Sequence, residues 1–175
     1  MPAARAKPAR TQLIASAVVA AILAAALWPF LPRIAAGVSG INLRAPNLAL
    51  WGDLPWMVQL HVYAAVTALV IGTVILLRPK GRGLHKALGW SWVLAMGVTA
   101  VSSLFITGLN GGYWSFIHLL SGWTIIALPM AIYAIRSRKV DIHRRAMTSM
   151  FVGGLLVAGA LSFIPGRVMF QMFFG

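Results

Sequence analysis

The chain has 175 residues, of which 60% are hydrophobic and 10% charged, and its mean hydropathy is +0.85. Soluble domains carry about a quarter charged residues, so these proportions predict an integral membrane protein. A formal charge of +13 would suggest nucleic acid in a soluble domain, but here Lys and Arg punctuate apolar runs instead of covering one face. They read as topology signals, and no nucleic-acid partner is expected. The absence of cysteine excludes disulfides, zinc–thiolate sites and iron–sulfur clusters. With Asp53 and Asp141 as the only acids, paired-carboxylate catalysis and a hard-cation cage are excluded too, which leaves histidine as the main ligand type.

In chain order, residues 1–11 form a basic leader around Arg5, Lys7 and Arg10. An Ala-rich run over 12–31 is long enough, at about 20 residues, to span a bilayer, and it is expected to stay as a first helix. Residues 32–55 form the longest loop, broken by Asn42, Pro46, Asn47 and Gly52, with Trp51 and Trp56 suited to the headgroup belt. A bundle over 56–166 follows. Its spans are predicted at Trp56–Leu77, Leu84–Thr107, Tyr113–Ile135 with a kink at Pro129, and Ile142–Ile164 with Asp141 as N-cap. Residues 167–175 are an apolar, aromatic tail for the interface.

Cytoplasmic loops carry the excess of Lys and Arg. All basic residues except Arg33, Arg44 and Arg167 fall on one side, in the leader, the turn after the second span and the turn after the fourth. This predicts a bacterial inner-membrane protein, N-terminus cytoplasmic and C-terminus periplasmic. The expected fold is all-α, with five transmembrane helices, the second to fifth forming an antiparallel four-helix bundle.

The stretch Leu84-His85-Lys86-Ala87-Leu88-Gly89-Trp90 recurs as Ile117-His118-Leu119-Leu120-Ser121-Gly122-Trp123. On a helix, positions four apart share a face, so each histidine stands beside a glycine that leaves room for something flat. With His61 and His143, four successive spans each carry one histidine near the N-terminal end. His61 and His118 lie at matching depth, about 7 to 8 Å below the outer ends of their spans, and His85 and His143 both lie in first turns at the inner face. Two imidazoles at equal depth suit the two axial positions of a haem, with Gly89 and Gly122 making space. Arg82, Lys86, Arg144 and Arg145 would compensate the propionates of an inner haem, and Arg44 or Arg167 those of an outer one.

This alternation of histidines resembles the dihaem transmembrane cytochrome b family that passes electrons from ascorbate across membranes. The local wording, residues 84–90, Asp141-Ile142-His143-Arg144-Arg145-Ala146-Met147 and Pro165-Gly166-Arg167, more closely resembles an uncharacterised bacterial membrane family of predicted four-helix domains, over residues 55–175. The cytochrome resemblance implies one or two haem b groups ligated by His61 with His118 and by His85 with His143, and exchange of electrons with quinol or another redox partner. His85 and His143 lie closer to the surface than that pattern suggests, so the sequence ranks the outer pair first.

Simpler roles compete with ligation. His85 and His143 suit interfacial contacts, and a hydrogen bond to Gln59, Thr67 or Ser121 would satisfy an intramembrane histidine. Trp90, Trp92, Trp114 and Trp123 read as belt anchors. His143 and Met147, four apart, are the one histidine–methionine pair on a face that a soft metal would favour. The leading expectation is a b-type cytochrome-like electron carrier. The alternative is a haem-free structural or accessory subunit of a larger membrane complex.

Overall fold

The computed structural model describes residues 28, 31–32, 35, 45–81, 83–107 and 116–174. The expected leader, nearly all of the first span, Arg33, Arg44, Arg82 and the turn containing Trp114 lie outside the described residues. Within them the chain is helix and turn, with no strand.

A short helix α1 (Leu48–Gly52) begins at Asn47, whose side chain caps it by accepting from the Leu50 N–H at 3.3 Å. Helix α2 (Trp56–Leu77) matches its expected bounds, and its 22 residues give about 33 Å of length, enough to cross a hydrocarbon core. Helix α3 (Gly83–Ser103) is shorter than expected. Leu104, Phe105 and Ile106 each bond to the residue three before, so its last turn tightens before Thr107. Helix α4 (Phe116–Arg136) contains Pro129, which has no N–H to offer the Ile125 carbonyl. Among the described residues, two helical stretches are long and apolar enough to cross a membrane: Trp56–Leu77 and His118–Arg136.

The fifth element is not one regular helix. It runs as α5 (Val140–Ser149), a π-helical segment (Met150–Val157) and α6 (Ala158–Leu161). The Ala158 N–H reaches back to Gly153 O, the wider π closure, beside the adjacent Gly153 and Gly154, which are weak helix formers. Asp141 is not the cap. It occupies the first turn of α5, while Lys139 holds the cap position without a side-chain bond. The carboxylate there faces the positive helix end and pairs with Arg144 at 3.4 Å, the two side chains 80% and 70% exposed.

Neighbouring helices are antiparallel, and they form a ring: α2 packs along α3, α3 on α4, α4 on α5, and the π segment returns against α2 and α4. The core is Ala68, Trp92, Ala95, Met96, Leu128, Ala131, Met150, Phe151 and Leu155. Its small residues let backbones approach, as expected for helices that meet without a hydrophobic driving force. The large apolar side chains Val66, Val70, Leu94, Leu119, Ile126 and Met130 point outward. So broad an apolar exterior is unsuited to water.

Trp92 corrects the belt expectation, because it is 4% exposed and belongs to the core. Two positions from the exposed Trp90, it lies on the opposite side of α3, and Gly72 on α2 leaves the slot that receives its indole. At the end away from the basic turns, the tail forms helix α7 (Val168–Phe174) and folds back onto the α1 segment, where the Asn47 N–H donates to Met172 O at 3.0 Å. Gln59 Nε2 donates to Trp51 O and Leu54 O, tying the same segment to α2.

Candidate functional site

Among the described residues, half-open cavities lie toward each end of the ring of helices. The first, of about 370 Å³, lies at the basic end between α2, α3, α4 and α5 and is lined by both His85 and His143. The two imidazoles come from diagonally opposed helices and are within electrostatic reach of each other. His143 Nδ1 is 3.0 Å from Ala131 O. Because a carbonyl only accepts, Nδ1 carries a proton, and in the neutral ring Nε2 is then the nitrogen that could ligate a metal.

Of the other residues expected at this site, Lys86 and Gly89 line the cavity. A Cβ added at Gly89 would meet nothing within 4 Å, so the space beside it is open. Arg144 and Arg145 do not line it. They follow His143 by one and two positions, about 100° and 200° around the helix, and their side chains are exposed. Arg136, from the last turn of α4, stands in the lining instead. By sequence it belongs to the basic turn, and the packing of α5 on α4 lets it line the same cavity as His143. Met147 also lines the cavity, as its spacing from His143 suggested. Trp92 Nε1, a lining residue's indole N–H, is buried with no acceptor.

The second cavity, of about 490 Å³, lies at the opposite end and is lined by His61, not by His118. His61 Nδ1 is 3.0 Å from Thr99 O and 3.1 Å from Ser102 Oγ, so its interhelical partners are on α3 rather than the expected Gln59, Thr67 or Ser121. His118 is 4% exposed and lines neither cavity, and Gly122 lines neither as well. The structure therefore brings His85 and His143 to one space and does not do so for His61 and His118, the reverse of the sequence ranking. Sequence position orders residues along a helix but does not determine rotation about its axis, which decides which histidines face one cavity. Among the described residues no three His, Cys, Asp or Glu gather into a metal site, so an all-protein metal cage is not formed there.

Residues 58–173 match the family described as Predicted membrane protein (DUF2306), and this match covers well over half of the chain. The chain belongs to that family. No curated protein and no solved structure matches it.

Proposed function

We propose, from the premise that the chain is a membrane protein of this family, that it is a b-type cytochrome-like electron carrier with one haem in the cavity at the basic end. The observation that carries this reading is the shared cavity of His85 and His143. Its volume is within the range of about 300–1,000 Å³ typical of small-molecule sites. The donor set fits the group: His85 and His143 would hold the iron through their imidazoles, and Ala131 O would hold the His143 ring in its ligating tautomer. Lys86 and Arg136 would compensate the propionates, and the open side of Gly89 would admit the flat ring. A bis-imidazole haem supplies one-electron exchange without an open coordination position. The largely apolar walls lower the local dielectric relative to water, which would favour the less charged of two redox states. The outer pair does not fit in the same way, since His118 does not share the space beside His61.

Five spans, a cytoplasmic N-terminus, a periplasmic C-terminus and residence in a bacterial inner membrane belong to the same reading. They are supported by the one-sided distribution of Lys and Arg and by the apolar exterior of the bundle. The test is the absorption spectrum of the purified full chain before and after dithionite, with pyridine haemochrome to count haem. About one haem per chain is expected, lost in His85→Ala and in His143→Ala and kept in His118→Ala. Protein without a Soret band after expression with ample haem, or haem retained by both inner variants, would overturn the reading in favour of a haem-free subunit of a larger assembly.

A further inference from the structure

Two series of side chains in the fifth element repeat every four residues. His143, Met147, Phe151 and Leu155 face inward: the first three line the cavity at the basic end, and Phe151 and Leu155 belong to the core, 6% and 5% exposed. Arg144, Thr148, Val152, Leu156 and Ala160, each one position further on, are all exposed. A spacing of four thus holds across α5, the π segment and the start of α6.

A regular α-helix does not keep such a series on one face. At about 100° per residue, four residues overshoot a full turn by about 40°, so the three steps from His143 to Leu155 would leave those two side chains about 120° apart. The π segment removes this drift. Its bonds close on the fifth residue, as from the Ala158 N–H to Gly153 O, so four residues there fall short of a turn and offset the overshoot of α5. Put as a count, three α turns take about eleven residues, and the chain spends one more between His143 and Leu155.

We propose that the π segment aims His143: with Phe151 and Leu155 fixed in the core, the one residue it holds beyond α-helical need turns α5 by about 100° and brings the imidazole and Met147 to the cavity shared with His85. Gly153 is a positioning residue through its place in the count and not through a contact of its own, since a Cβ there would meet nothing within 4 Å. The use of the aimed imidazole to hold haem rests on the reading above; the rotation does not.

The chain has no cysteine, so a His85→Cys/His143→Cys pair carries its only thiols and reports, without haem, whether the two positions face one space. Cross-linking of the full chain by a flexible bis-methanethiosulfonate is compared with no deletion, with Gly153 deleted, and with Gly153 and Gly154 both deleted. One deletion leaves about three α turns between position 143 and Leu155, so the yield is expected to stay within about twofold; two deletions turn position 143 away by about 80°, and the yield should fall at least about tenfold. A His61→Cys/Ser102→Cys pair, on α2 and α3 where the native side chains are 3.1 Å apart, checks in separate samples that each deleted chain still forms the bundle. Equal yields from all three chains would overturn the proposal, and so would a single deletion that loses cross-linking as fully as the double one, whether or not the second pair still forms. Haem content of the same deletions in the histidine-bearing chain should follow the same order. An undeleted chain without haem would overturn the haem reading alone and leave the cross-links to judge the rotation.

Discussion

Gly72 is the position where one methyl group should matter most. It is buried on the face of α2 that meets α3 and the π segment, and an added Cβ would lie 2.5 and 2.6 Å from Cδ2 and Cε2 of Phe151 and 2.7 Å from Trp92 Nε1. Ordinary contacts of this kind are at about 3.5–4.0 Å, so the neighbours must yield by about 1 Å. Both neighbours are rigid aromatic rings, 6% and 4% exposed, with core on their far sides. Overpacking a filled site costs about 1–3 kcal/mol, and rings that cannot change rotamer place Gly72→Ala at the upper end, about 2–3 kcal/mol. The helix propensity gained by alanine does not offset this, because membrane helices persist in the lipid-embedded unfolded state. The loss is measured by reversible unfolding in mixed micelles. Since Gly72, Trp92 and Phe151 all line the cavity at the basic end, haem retention should fall in the same variant. Unchanged or increased stability would refute the packing argument.

Gly97→Ala is the matched control: its Cβ would lie 4.0 Å from Leu128 Cδ2, an ordinary contact, and stability should stay within about 0.5 kcal/mol in the same unfolding assay. Arg138 ends α4 with φ 60°, while the Lys139 N–H bonds to Ala134 O at 2.8 Å, so this non-glycine residue holds the left-handed position of a helix-ending turn. Arg138→Gly should stabilise the chain by about 1 kcal/mol, seen as a raised unfolding midpoint; a lowered midpoint would mean that the arginine side chain contributes more than its backbone strain removes. Asp141→Asn removes an exposed ion pair and a favourable first-turn charge, and a change of no more than about 0.5 kcal/mol is expected. A larger loss would point to a buried role for Asp141 that its exposure argues against.

Part of this architecture is written in local chemistry. Trp56–Leu77 was legible to the residue because Pro55 and the Arg78-Pro79 break bracket an uninterrupted apolar run. The helical character of the third and fourth spans and the proline inside the fourth were equally local matters. The π segment was not legible, although Gly153-Gly154 in the middle of the run signalled weakness there. Propensity can mark a weak point but does not say whether the helix kinks, widens or stays regular. Asp141 illustrates a smaller failure of the same kind, since a good capping residue was present but the helix began two positions earlier than expected, at Val140.

The candidate site divides in the same way. Composition and spacing by themselves pointed to a membrane protein in which histidine is the available ligand, and helical rise led to the expectation that His85 pairs with His143 and His61 with His118. Whether two residues at one depth face each other depends on how each helix is rotated, and that is set by side chains packed from other helices. Gly72 receiving Trp92 and the π segment turning against α2 and α4 are contacts between distant parts of the chain. Only the tertiary structure could decide them, and they are what put His85 and His143 in one cavity and left His61 in another.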